Sequence, residues 1–140
     1  MHLYTSYFAN LKSLPKHAIP ISICCKAPDW YKGLQYKKLA PKYDFFMEWK
    51  KNHDNDYYIK CFNEQVLSTL DVQRVYQDLH DIAENFVNSL PEEDIRKWHQ
   101  KIGYPYVVVL ICYEKPTDFC HRHLVSDWFG RNGIVCIEWK

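Results

Sequence analysis

The longest unbroken apolar run in the chain lies within YPYVVVLICYE, residues 104–114. Val, Leu and Ile follow one another there without alternation, which predicts a central parallel strand buried on both faces. A polar loop, KPTDF, comes next. CHRHLVSDWFGRNG then sets Cys120, Leu124 and Trp128 on one stripe at helical spacing, so a helix is expected, ended by Gly130 or Gly133. GIVCIEW reads as the last strand. Strand, loop, helix and strand of this length make a βαβ unit, hence a right-handed crossover within a parallel sheet.

The first half is less regular. β-branched and aromatic residues in rough alternation predict a strand from His2 to Tyr7. ANLKSLP follows as a helical turn stopped by Pro15. AIPISIC predicts a second strand ending near Cys24, with the strand proper starting at Ile21 because of Pro20. Residues 26–43 have no clear periodicity and form a long loop, a length usually functional or mobile inside a compact domain. DFFMEWKKN predicts a short helix capped by Asp44. Residues 56–70 are mixed: Tyr57 to Phe62 fits strand or helix, and a helix is expected from about Asn63. Val72, Val75, Leu79, Ile82, Ala83 and Phe86 recur at helical spacing behind Asp71, a fitting N-cap. Pro91 either ends that helix or starts a short one closing at Gly103. The pattern as a whole predicts α/β architecture, a small, mostly parallel sheet with helices on both faces.

Composition narrows this further. A chain of 140 residues is expected to form a single domain, 1–140. It is long enough to hold a core without disulfides or metal. Hydrophobic residues make up 47%, with 5 Trp, 11 Tyr and 7 Phe, which excludes a disordered chain. The net charge of +1, from 18 basic and 17 acidic residues, supplies no global field for nucleic acid or an anionic membrane. No stretch reads as a signal peptide or a membrane span. A cytoplasmic protein is therefore expected, with its 6 Cys as thiols.

Candidate chemistry gathers where α/β sheets bind ligands, beyond the carboxyl ends of the strands. Cys112 and Glu114 end the central strand. Cys24, Cys25 and Lys26 end the second strand, so both groups face one crevice. Cys120, His121 and Arg122 open the following helix, where unpaired N–H groups and the dipole favour an anion. One reading is catalytic: Cys120 as an activated thiol, Cys112 as a resolving thiol and Glu114 as general base. Its bland counterpart is Cys120 as a small core residue. Another reading is a pocket for an anionic small molecule or nucleotide, with Arg122 as a bidentate fork. His121 and Lys26 would assist, and the loop bearing Trp30 and Tyr31 would close over it as a lid. Here the counterpart is Arg122 as a structural pin, bonding Glu114 or loop carbonyls.

A metal set from Cys112, Cys120, His121 and His123 is not expected. The seven-residue gap after Cys112 matches no known knuckle, and the two histidines stand about 200° apart around a helix. Nucleic-acid binding through loop 26–43 is a weaker alternative. Lys26, Lys32, Lys37, Lys38 and Lys42 interleave there with Trp30, Tyr31, Tyr36 and Tyr43, but the near-neutral net charge argues against tight binding. No cofactor and no oligomeric state is legible in the pattern.

VVVLICYEKPTDFCHRHLVSDWF resembles the signature of the family known as domain of unknown function 488, an apolar strand ending in Cys and Glu, a short loop, then Cys-His-Arg opening a helix. The matching positions are Cys112, Glu114, Lys115, Cys120, His121 and Arg122. ISICCKAPDWYKGLQYKKLAP is similar to a second segment, where a strand leads into a Pro- and Trp-containing loop ending in Leu-Ala-Pro. The departure is at Cys24-Cys25, where many members carry an Asp-Val-Arg-like strand end; Lys26 is the nearest charged substitute. The resemblance implies a three-layer Rossmann-like domain of bacteria or their phages. It implies no reaction, so function must come from the site. The leading expectation is a small-molecule site at residues 112–122 for an anionic or nucleotide-like ligand, with cysteine chemistry. The alternative is a non-catalytic module contacting nucleic acid or protein through loop 26–43.

Overall fold

The computed structural model describes residues 1–102 and 106–139. Five strands form one parallel sheet: β1 (His2–Tyr7), β2 (Ala18–Ser22), β3 (Leu34–Gln35), β4 (Val107–Cys112) and β5 (Cys136–Glu138), in the order β3-β2-β4-β1-β5. The apolar run is indeed central. β4 pairs with β1 on one side and β2 on the other, Val108 facing Leu3 and Ile19 in register. The chain is a three-layer, Rossmann-like α/β domain. Helices α1 (Tyr43–Asn52), α2 (Asn55–Gln65), α3 (Val72–Asn88) and α5 (His121–Arg131) pack on the face that presents Leu3, Ile19, Ile21, Val108 and Leu110. The opposite face, with Val109 and Ile111, is covered more thinly by the 3₁₀ turn Phe8–Ser13 and by Tyr31. Short α4 (Glu92–Lys97) begins after Pro91 and runs into a π turn; its expected end at Gly103 lies outside the described residues. Among the described residues no helix is long and apolar enough to cross a membrane.

Three expectations are corrected. Pro20 does not delay β2, which starts at Ala18. In a parallel strand alternate residues point their backbone groups to alternate sides. The Ser22 carbonyl accepts from Tyr36 on the β3 side, so Pro20, two residues earlier, faces that side too. β3 starts only level with Ile21, so Pro20 forfeits no ladder bond. Loop 26–43 is not structureless: it contains β3 and a 3₁₀ turn, Lys37–Leu39. Tyr57 to Phe62 is helix, because Asp54 caps α2 through the Tyr57 N–H (3.1 Å) and Tyr58, Cys61 and Phe62 bury one stripe. The same device at α3, Asp71 accepting from the Arg74 N–H, is as expected.

The crossover from β4 through α5 leads to β5, which pairs with β1 rather than β4. Helix α5 starts one residue after Cys120, which is its N-cap. Its buried stripe is Val125, Trp128 and Phe129 with Arg122 and His121, and Leu124 is only partly covered.

Candidate functional site

The carboxyl ends of β2 and β4 lie side by side, held by the Ile23 N–H donating to the Ile111 carbonyl (3.1 Å). That adjacency sets the Cys24 and Cys112 sulfurs 3.4 Å apart although they are 88 positions apart in sequence. The loop after β4 turns back on itself, Asp118 N–H donating to the Lys115 carbonyl, and returns the chain to α5 beside Cys112. His121 then points its ring at the thiols. Its Nδ1 lies 3.5 Å from Cys112 Sγ and 4.0 Å from Cys120 Sγ. Its Nε2–H donates to the Ile23 carbonyl at 2.7 Å, which fixes the ring and leaves Nδ1 toward the sulfurs. The ligating atoms of Cys112, Cys120 and His121 all lie within 4.8 Å of one another, and all three residues are buried. The seven-residue gap is no obstacle, because the loop folds back. His123 stands outside this group, as its angular offset on the helix implied.

The thiols are inequivalent. The Cys120 pKa is pulled well down, chiefly by the hydrogen bond from Cys112, against the effect of burial and with the help of His121. Cys112 is pushed well up by its hydrogen bonds to Cys120 and Cys24 and by burial. Cys24 is lowered, first by Cys112. Burial works against a His121 cation, yet contact with Cys120 and the Ile23 carbonyl raises its pKa overall. Of the three neighbouring thiols, Cys120 and Cys24 are thus the more readily ionised and Cys112 the least.

Above this floor opens a cavity of about 470 Å³. Cys24, Cys25, Cys112, Cys120 and His121 line its base, and Phe46, Trp49, Tyr58 and Phe119 supply aromatic walls. Lys26, Lys50 and Glu114 contribute its charged groups. Trp49 and Phe119 lie 5.6 Å apart at 37°, and Tyr58 meets Phe119 edge-on at 5.0 Å. Cys25 is held aside, its thiol donating to the Pro41 carbonyl at 3.0 Å.

Of the residues singled out in the sequence, Cys112, Glu114, Cys120, His121 and Lys26 line this cavity. Arg122, Trp30 and Tyr31 do not, and their expected roles are corrected. Arg122 is fully buried. Its Nε and Nη2 donate to the two carboxylate oxygens of Glu138 at 3.1 and 3.0 Å, and its Nη1 donates to the Glu114 carbonyl at 2.5 Å. The fork is occupied by the protein itself, so Arg122 is a pin and not an anion receptor. Trp30 is 63% exposed and leans edge-on against Phe8, away from the cavity. Tyr31 is buried behind the thiols and donates its hydroxyl to the Leu34 carbonyl. The Trp30 and Tyr31 rings therefore do not cover the cavity, which the loop meets only near its two ends, through Lys26 and Pro41. The loop's basic residues partly serve the fold: Lys37 donates to the Cys25 carbonyl, and Lys38 pairs with Asp78.

The walls from α1 and α2 were missed. Phe46, Trp49 and Lys50 stand at i, i+3 and i+4 and so share one helical face, a spacing visible in the sequence. Only the fold reveals that this face looks onto the strand ends.

A family model described as the active DUF488-N3 subclade, DUF488-N3a, matches residues 6–133. No curated protein and no solved structure gives a significant match.

Proposed function

The chain belongs to the DUF488 family, and on that premise we propose that the cavity takes an anionic small molecule with a planar ring, of nucleotide-like size. It presents that molecule to the thiols and imidazole at its floor. One observation carries the reading: Cys112, Cys120 and His121 converge at the base of a cavity walled by aromatic rings and carrying two lysines. The location beyond the carboxyl ends of β2 and β4 is where open α/β sheets bind ligands. The volume of about 470 Å³ falls in the usual range for small-molecule sites.

Each part of the cavity has a matching part in such a ligand. Phe46, Trp49 and Phe119 offer faces and edges to a flat ring. Lys26 and Lys50 are exposed, flexible point charges suited to a phosphate or carboxylate. The chemical part is the cysteine and histidine floor, with the Glu114 side chain and the Tyr58 ring beside it. The description of the subclade as active supports a chemical role for that floor over mere packing.

Titration with AMP, adenosine and ribose 5-phosphate separates ring from charge. AMP is expected to bind and to raise Tm, with both fragments weaker. Changing Lys26 and Lys50 together to Ala should weaken AMP about tenfold, roughly 1.4 kcal/mol, and flatten its salt dependence. Trp49→Ala should weaken AMP and adenosine together. No binding of any of the three probes to the unaltered protein would overturn the reading.

A further inference from the structure

Resting on the reading of this cavity as a ligand site, we propose that Cys112, Cys120 and His121 bind a zinc ion, with the fourth position open to the cavity. A tetrahedral zinc with Zn–S near 2.3 Å and Zn–N near 2.0–2.1 Å needs sulfur–nitrogen separations of about 3.5 Å and sulfur–sulfur separations of about 3.8 Å. The sulfur–nitrogen separations in the structure are 3.5 and 4.0 Å. All three ligating atoms lie within 4.8 Å of one another, so no separation has to close by more than about 1 Å. The set is nearly assembled before any metal arrives.

The surroundings have the character of a metal shell. His121 donates its other ring nitrogen to the Ile23 carbonyl at 2.7 Å, the bond that orients metal-binding histidines and fixes their tautomer. Two thiolates and an imidazole are a soft set that selects zinc over magnesium or calcium. The rigid backbone of β4, the N-cap of α5 and the end of β2 hold the three side chains in place. Zinc sites with three protein ligands use the fourth position for water or substrate. All three residues line the cavity, so the fourth position would be reached from it, and there the anionic group of a bound ligand would meet the metal. Cys24 touches the group through Cys112, at 3.4 Å, and stands beside the set rather than within it.

The test uses the whole chain, loaded with Zn²⁺ or Co²⁺ under reducing conditions after chelator treatment. The expected result is a single zinc ion per chain by elemental analysis and a tetrahedral cobalt spectrum with a thiolate charge-transfer band. Cys112→Ser, Cys120→Ser and His121→Ala should each weaken zinc by at least about 100-fold. Cys61→Ser and Cys136→Ser, away from the site, should leave it unchanged, and Cys24→Ser should keep the cobalt spectrum. Should a ligand variant fail to fold, zinc protection of Cys112 and Cys120 against iodoacetamide in the unaltered protein gives the same information. No stoichiometric zinc, no thiolate band and no protection would overturn the proposal and leave a free thiol cluster. Loss of cobalt binding in Cys24→Ser would overturn the open fourth position. AMP titration of zinc-free and zinc-loaded protein keeps the two readings apart. Zinc without AMP binding sinks only the ligand reading; AMP binding without zinc sinks only the metal.

Discussion

Arg122 illustrates how a motif residue can look like a ligand receptor and serve the scaffold. It sits in the first turn of α5, next to His121, yet its guanidinium grips Glu138 on β5 and the Glu114 carbonyl after β4. Thr5 on β1 joins the same carboxylate, donating at 2.5 Å. Removing one partner of a buried pair strands the other, at about 3–5 kcal/mol. Arg122→Met should therefore destabilise by about 3 kcal/mol, the lower end of that range because Glu138 is partly exposed. Urea unfolding measures it, and adding Glu138→Gln should recover much of the loss. A receptor role would give the opposite result, normal stability with AMP binding abolished. That Cys112, Glu114, Cys120 and His121 would lie together, as they do along one cavity, was legible because a strand end and a helix start are local features. The partner of Arg122 was not, since Glu138 reaches it only after β5 has crossed to the far side of β1.

At the scale of elements, the least legible piece is β3. Two residues carry no periodicity, and the strand exists because neighbouring groups hold it. Tyr31 donates to the Leu34 carbonyl at 2.7 Å, and the Tyr36 N–H donates to the Ser22 carbonyl at 2.8 Å. Gly33 is what allows the Tyr31 ring to lie there: a Cβ at that position would sit 2.6 Å from the Tyr31 hydroxyl oxygen and 2.7 Å from Cζ. Gly33→Ala should displace the ring, destabilise the protein by about 1–3 kcal/mol, and speed hydrogen exchange at the Tyr36 amide. Unchanged exchange there would mean that the ring does not hold the strand. α2 was hidden for a different reason. Its Tyr-Tyr-Ile opening favours strand by propensity, and the Asp54 cap and buried stripe outweigh that preference.

Across the whole molecule, the site depends on joining distant parts of the chain. β2 and β4 become neighbours only when the parallel sheet forms, so the Cys24–Cys112 contact could not be read from spacing. A second long-range tie joins the β3 segment to α3. The Tyr36 hydroxyl donates to Asp78 at 2.7 Å, while Arg74 and Lys38 lie near the same carboxylate. Asp78 is held below its ordinary pKa of 3.8, first by the Tyr36 hydroxyl, with burial opposing and the two cations adding. A lowered carboxylate pKa stabilises the fold above the unfolded value, and that contribution fades as pH falls through the folded one. Tyr36→Phe should thus lower stability by about 1 kcal/mol at pH 7 and make the decline on acidification shallower. Thermal melts at pH 7 and pH 3 give both numbers, and parallel curves for the two proteins would refute the link.

Pro20 has a bearing on how this molecule meets copies of itself. Ahead of β3 no strand pairs with the flank of β2, only the Tyr31 hydroxyl reaching the Pro20 carbonyl at 3.4 Å, and an unpaired flank ordinarily invites a stranger's backbone to zip on. The Pro20 nitrogen faces that flank and has no hydrogen to give. The stretch the short outer strand leaves uncovered is thereby a poor template, guarded by a residue that at first sight spoils a strand.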